Sequence, residues 1–298
     1  MDEKLPSYGG QALIEGVLMR GSKTAAAAMR APNGEIVITS EPLQGIYKNS
    51  IAKLPFFRGL VILWDSLGLG MRFLTISANT QTGENEKIEG PALFITLAIS
   101  LTIGVGMFFV LPLFIGQLIG NWMNWNAWVV NLLEGLIRIA IALGYIWAVG
   151  RIPDIARVFA YHGAEHKTIN GYESGVELTP ENLKSCSLEH PRCGTAFLLT
   201  IIVLSVIIFA ILGPLPGAWK YISRIILVPP LASLAYEYIR WTSRHLNSPF
   251  VRMLIKPNLA LQRLTTREPS PDMLEVSIAA FKAMLEKETA TIEQGVVP

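Results

Sequence analysis

Residues 90–120 read GPALFITLAISLTIGVGMFFVLPLFIGQLIG, without one Asp, Glu, Lys or Arg. A bilayer's hydrocarbon core is about 30 Å thick and takes roughly 20 apolar helical residues to cross. The stretch is long enough to span, so the fold class turns on it: a helical membrane protein. The composition agrees. Hydrophobic residues make up 51% of the chain and charged residues 16%, against about 25% charged in soluble domains. The formal net charge of +2 gives no footing for a nucleic-acid partner.

Working outward, three more stretches have the same character. They are NAWVVNLLEGLIRIAIALGYIWAVG (126–150), GTAFLLTIIVLSVIIFAILG (194–213) and a segment over 222–243 that begins ISRIILVPPLASLAYEYIRW. Pro229-Pro230 predicts a kink in the last of these. The expectation is an α-helical polytopic membrane protein with about four transmembrane helices, a small β-rich cytosolic N-terminal subdomain (1–50) and an amphipathic C-terminal helix in a cytosolic tail (244–298). No signal peptide is read at the start. Lys and Arg collect between spans two and three (Arg151, Arg157, Lys167, Lys184, Arg192) and after span four (Arg240, Arg244, Arg252). The positive-inside rule therefore places both termini and the 151–193 loop in the cytoplasm. Cys186 and Cys193 then face a reducing compartment, which favours a thiol or thiolate ligand over a disulfide.

In the N-terminal piece, Asn33-Gly34 sits between the strand-like runs TAAAAMRA and EIVITSEPL, a hairpin signal. GGQALIEGVLMRG (9–21) reads as another strand or a docking segment. Residues 51–80 contain LPFFRGLVILWDSLGLGMRFLTISAN, with Arg58, Asp65 and Arg72 spaced by seven on one narrow stripe. Three charges make a poor span; the expectation is a helix lying in the interface or packed on the bundle. Near the C-terminus, Ser270-Pro271 starts a helix whose apolar face is Met273, Val276, Ala280 and Met284 or Phe281.

Three of the four histidines and both cysteines fall between residues 162 and 193. In HGAEH, His162 and His166 are four apart and share a helix face, so both imidazoles can reach one metal ion. Glu165 is next to them as a catalytic base. The H-x-x-E-H order is the inverted zinc-peptidase pattern. A third ligand is expected from Glu237, in the last turns of span four, or from Cys193 and His190 in CSLEHPRCGT. Glu237 equally could pair with Arg240 at i+3. Cys186, His190 and Cys193 together with His166 would instead build a closed structural site. Imidazole with thiolate or carboxylate favours zinc among divalent ions. In span two, Glu134 and Arg138 form an i,i+4 pair expected to face the bundle interior.

The chain resembles the YqhQ family of bacterial membrane proteins, which has relatives in plastid-bearing organisms. The resemblance rests on GGQALIEGVLMRG, the PNGE hairpin, YHGAEHKTINGYE, HPRCGTAFL, YEYIR and LQRLTTREP, in order along nearly the whole chain. It implies a metal-dependent enzyme and singles out His162, Glu165, His166, Lys167, Asn170, Glu173, His190, Arg192, Cys193 and Glu237. It implies a bacterial cytoplasmic membrane location. Two functions follow as expectations: a zinc-dependent hydrolase of peptides or lipid headgroups at the cytoplasmic membrane face, or a non-enzymatic scaffold or biogenesis factor. The expected partners are membrane lipid and cytosolic or membrane proteins.

Overall fold

The computed structural model describes residues 8–43, 54–82, 91–213 and 215–293. It opens with β1 (Gly9–Leu13), β2 (Gly16–Arg20), β3 (Thr24–Arg30) and β4 (Ile36–Pro42), an antiparallel sheet in sequence order. GGQALIEGVLMRG is thus a complete hairpin. Leu13 pairs with Gly16, and the two-residue turn between them holds Glu15 at φ 52, in the left-handed region that non-glycine residues enter uncommonly. The second hairpin turns at Asn33-Gly34, where Gly34 takes φ +88 and the Asn33 carboxamide oxygen accepts from the Glu35 N–H at 3.1 Å. The ends of the 1–50 segment lie outside the described residues.

Both sheet faces are covered, following the two-residue alternation of strands. Leu13, Leu18, Ala25, Ala27 and Met29 pack on Phe73 of α1 (Phe57–Gln81). Val17, Met19, Ala26 and Ala28 belong to a second core. That core also takes in Tyr161 and Ile169 of a long helix, Pro153–Glu173, and Val276, Phe281 and Met284 of the C-terminal helix, Pro271–Glu293. The Ala25–Ala28 run supplies small side chains to both faces, so helices approach closely from each side.

The chain next forms α2 (Pro91–Val105), a π-helical turn (Gly106–Val110) and α3 (Leu111–Trp122) in one run, then α4 (Ala127–Val149). Asn126 caps α4 by accepting from the Val129 N–H at 3.0 Å. The Pro153–Glu173 helix is α5, and α6 (Pro180–Leu183) follows, with Thr179 accepting from the Asn182 N–H. After these come α7 (Thr195–Leu212), α8 (Trp219–Ile226), α9 (Val228–Arg244), α10 (Pro249–Thr265) and the C-terminal α11. Among the described residues, four helices are long and apolar enough to cross a membrane: Phe57–Gln81, Phe94–Trp122, Ala127–Val149 and Thr195–Leu212. The α8–α9 pair, bent by 40°, makes a fifth candidate. Its break falls just before Pro229-Pro230, the expected kink. The protein is a helical membrane protein with a small N-terminal sheet.

The Glu134–Arg138 pair does face the interior, and it has a third member that the spacing did not show. Glu134 accepts from Arg138 at 2.5 Å and from Arg224 of α8 at 2.7 Å. Both guanidinium groups lie over the Phe209 ring, at 5.5 and 4.1 Å. Arg138 also donates to Ser205 at 3.2 Å and to the Phe108 carbonyl at 3.1 Å. That carbonyl is available because Pro112, four residues on, has no N–H to give it.

Candidate metal centre

Pro153 at the first helical position and Asp154 in the first turn suit the start of α5. One regular helix then runs through HGAEH, so His162 and His166 stack one turn apart, ring centroids 4.4 Å from each other. Gly163 lies between them because α5 meets the segment after α10 there. The Arg267 N–H donates to the Phe159 carbonyl at 2.9 Å, and a Cβ on residue 163 would fall on the Arg267 carbonyl oxygen.

The tautomers of both histidines follow from their partners. His162 Nδ1 is 2.9 Å from the Thr265 carbonyl oxygen, and His166 Nδ1 is 2.5 Å from that of Leu188. A carbonyl only accepts, so each Nδ1 carries the hydrogen and each Nε2 presents a lone pair. This is how metal-binding imidazoles are held in place. His162 Nε2 lies 3.2 Å from Cys193 Sγ. His166 is fully buried, and its Nε2 has no hydrogen-bond partner. The Thr195 N–H at the start of α7 reaches the same sulfur at 3.4 Å. One ring nitrogen of each histidine and Sγ of Cys193 all lie within 4.8 Å of one another. A compact set of two imidazoles and a thiol, one imidazole with a buried Nε2 that no hydrogen bond occupies, fits a zinc ion.

Glu165 sits beside this set, its carboxylate 3.9 Å from His162 Nε2. Burial pushes its carboxyl up to about 7, partly offset by the neighbouring His162 ring and a hydrogen bond from the Gly10 backbone. Gly10 of β1 is the floor under that carboxylate: a Cβ there would sit 2.9 Å from Glu165 Cγ and 2.5 Å from the Leu18 carbonyl oxygen. The same hairpin holds α5 a second time, through Glu15. It accepts from Arg157 at 2.5 Å on each oxygen and from the Tyr161 hydroxyl at 3.3 Å. Here the sheet positions Glu165.

The other candidate residues are placed differently. His190 is buried with its ring 5.6 Å from that of His166, but its Nε2 turns to Glu173 (3.9 Å) and Arg192 (3.4 Å). Burial pulls its imidazole below the ordinary value, against the hydrogen bond to Glu173. Gln262 of α10 clamps the His190 backbone, accepting from its N–H at 2.9 Å and donating to its carbonyl at 2.8 Å. Lys167 donates to the Lys184 carbonyl at 2.5 Å and to Glu268 at 2.6 Å, and Asn170 donates to the Ser187 and Glu189 carbonyls. These bonds fold the 184–193 segment over α5. Cys186 is a free thiol apart from the three-residue set. Glu237 pairs with Arg58 of α1 and accepts from the Phe56 N–H at 3.2 Å. That occupies it far along the chain from the imidazoles, with Arg58 in place of the Arg240 partner that helix spacing offered.

The comparisons with known proteins come to bear here. Residues 54–287 match the family model described as a protein of unknown function, DUF1385. The chain belongs to that family. It is also 32% identical over 308 residues to the uncharacterized protein YqhQ of Bacillus subtilis (strain 168), covering 98% of this chain and 96% of the relative. No solved structure matches. The match spans α1 to α11, so it includes every side chain of the metal set.

Gln262, Thr265 and Gly10 are the site residues that ligand chemistry could not find. Two of them contribute backbone or a missing side chain, and none is a metal-ligand type. Their signal was the motif text itself, LQRLTTREP and GGQALIEG, which no ligand count weighs.

Proposed function

We propose that this chain is a zinc-dependent hydrolase whose site lies at the cytoplasmic face of a bacterial inner membrane. His162, His166 and Cys193 hold the ion, and Glu165 is the general base. The observation that carries the reading is the pair of Nδ1–H to carbonyl bonds, which leaves both Nε2 lone pairs free, that of His162 3.2 Å from Cys193 Sγ. A zinc ion held there would supply Lewis acidity, lowering the pKa of water to about 7. Glu165 takes the proton, held against Gly10 within reach of the His162 ring. Peptide bonds and lipid headgroup esters near the membrane are the substrate classes.

The test compares wild type with Glu165→Gln in proteoliposomes, using quenched peptides and headgroup-labelled phospholipids. Removing a general base costs about 10²- to 10⁴-fold in rate. The expected result is that loss with metal content unchanged. A Glu165→Gln protein as active as wild type overturns the reading.

The burial of His166 and Cys193 favours a second reading, a scaffold in which the ion staples α5 to the start of α7. In that case Glu165→Gln changes nothing measurable, while Cys193→Ser loses the metal and lowers the melting temperature.

A further inference from the structure

α1 meets the length and apolarity of a spanning helix, but its contacts keep it out of the bilayer's depth. From residue 65 onward it lies along the sheet. Asp65 pairs with Arg20 of β2 at 2.6 Å, and Gln11 of β1 donates to the Ser66 carbonyl at 3.4 Å. Phe73 is fully buried among strand residues, the Ile14 N–H donates to Ser77 at 3.3 Å, and Gln81 donates to the Arg30 carbonyl at 2.8 Å. The sheet's other face carries α11, with the exposed charges Asp272, Glu275, Lys282, Glu286 and Lys287 along it. A sheet backed by such a helix stands in water. Only residues 57–64 remain free of the sheet, and eight helical residues rise about 12 Å against a core of about 30 Å.

Among the described residues, no element covers the opposite side of α1. Phe57, Val61, Trp64, Leu67 and Met71 recur at helical spacing on it. Trp64 is 78% exposed, and Phe57 and Leu67 are each 56% exposed. The helix's three charges stand at the stripe's margin and are engaged: Arg58 by Glu237, Asp65 by Arg20 and Arg72 by Glu41. A contiguous apolar stripe of this kind marks a binding surface, and its surroundings say what binds. The start of α1 is fastened to the bent α8–α9 pair, through Arg58–Glu237, a hydrogen bond from Ser233 to the Phe56 carbonyl, and Tyr236 lying 3.0 Å from where a Gly59 Cβ would be. The stripe therefore continues the exposed apolar belt of α9, which includes Leu234 and Trp241.

We infer that α1 is a membrane-surface helix whose Phe57–Val61–Trp64–Leu67–Met71 face sits among lipid acyl chains at the interface where α9 ends. Spanning is then left to the α2–α3 run, α4, α7 and the bent α8–α9 pair. β1 lies between this helix and α5, with Gln11 against Gly70 on one side and Gly10 under Glu165 on the other. The candidate metal centre is thus one strand removed from this surface helix. The inference stands on contacts of α1 alone and holds whether or not the site binds metal.

The test uses the full chain in sealed membrane vesicles on a Cys186→Ser background. Leu54→Cys and Thr82→Cys, at the two ends of α1, are each treated with a membrane-impermeant maleimide in inside-out and right-side-out preparations. Both ends should label from the same preparation; labelling from opposite preparations would make α1 a span and overturn the inference. A fluorophore on Trp64→Cys in proteoliposomes should be quenched about twofold more by shallow than by deep nitroxide lipids, matching a helix immersed by about 5–10 Å. Stronger quenching by the deep probe, or none by either, contradicts lipid contact at the interface.

Discussion

Replacing Glu134 with leucine is expected to destabilise the protein more than any other single change in its spanning helices, by about 3–5 kcal/mol. Its carboxylate is the acceptor for two guanidinium groups, Arg138 and Arg224, and all three side chains are nearly inaccessible. Removing it leaves two like charges facing each other between α4, α7 and α8, with Ser205, Ser223, a carbonyl and the Phe109 and Phe209 rings to receive them. Arg138→Leu should cost much less, because the Glu134–Arg224 pair survives it. Thermal unfolding in detergent micelles orders the two variants. Equal losses would mean that the cluster does not share one counter-charge as described.

The second large effect is expected at Gly163. An alanine Cβ there would overlap the Arg267 carbonyl oxygen and come within 2.9 Å of Leu188 Cδ2. Neither side can yield freely. Arg267 is tied to Phe159 by its own N–H, and the Leu188 carbonyl anchors His166. The Thr265 carbonyl that orients His162 is two residues from the clash. Gly163→Ala should therefore loosen both imidazoles at once, lowering metal affinity about 10- to 100-fold, the usual cost of losing an orienting partner. Overpacking adds about 1–3 kcal/mol of destabilisation. Gly144→Ala, where a Cβ meets nothing within 4 Å, is the matched control and should behave as wild type in both measurements.

The membrane class was legible from residues 90–120 alone, because an uncharged apolar run of that length has few other fates. The hairpin at Asn33-Gly34 and the α11 face at Met273, Val276, Ala280, Phe281 and Met284 were also readable from local pattern. The π-helical turn before Pro112 was not, since helical hydropathy looks the same through it. GGQALIEGVLMRG shows a different limit. It reads as a strand or a docking segment, but its glycines answer to partners over a hundred residues away: Gly10 to Glu165, and Gly21 to Glu288, which accepts from the Ser22 N–H at 3.0 Å. At the site, helix spacing brought His162, Glu165 and His166 together correctly. It could not choose among Cys193, His190 and Glu237, because that choice depends on how α7, α9 and α10 return to α5. Glu237 had a neighbour at i+3 in sequence, and its actual partner, Arg58, comes from a helix 179 residues away.

The central claim is the metal centre itself, and the direct measurement is the zinc content of the folded, purified protein with His166→Ala and Cys193→Ser alongside. The structure predicts one zinc per chain in wild type and little in either variant. Folded wild-type protein with no stoichiometric metal, or a Cys193→Ser protein that keeps its full complement, would contradict it.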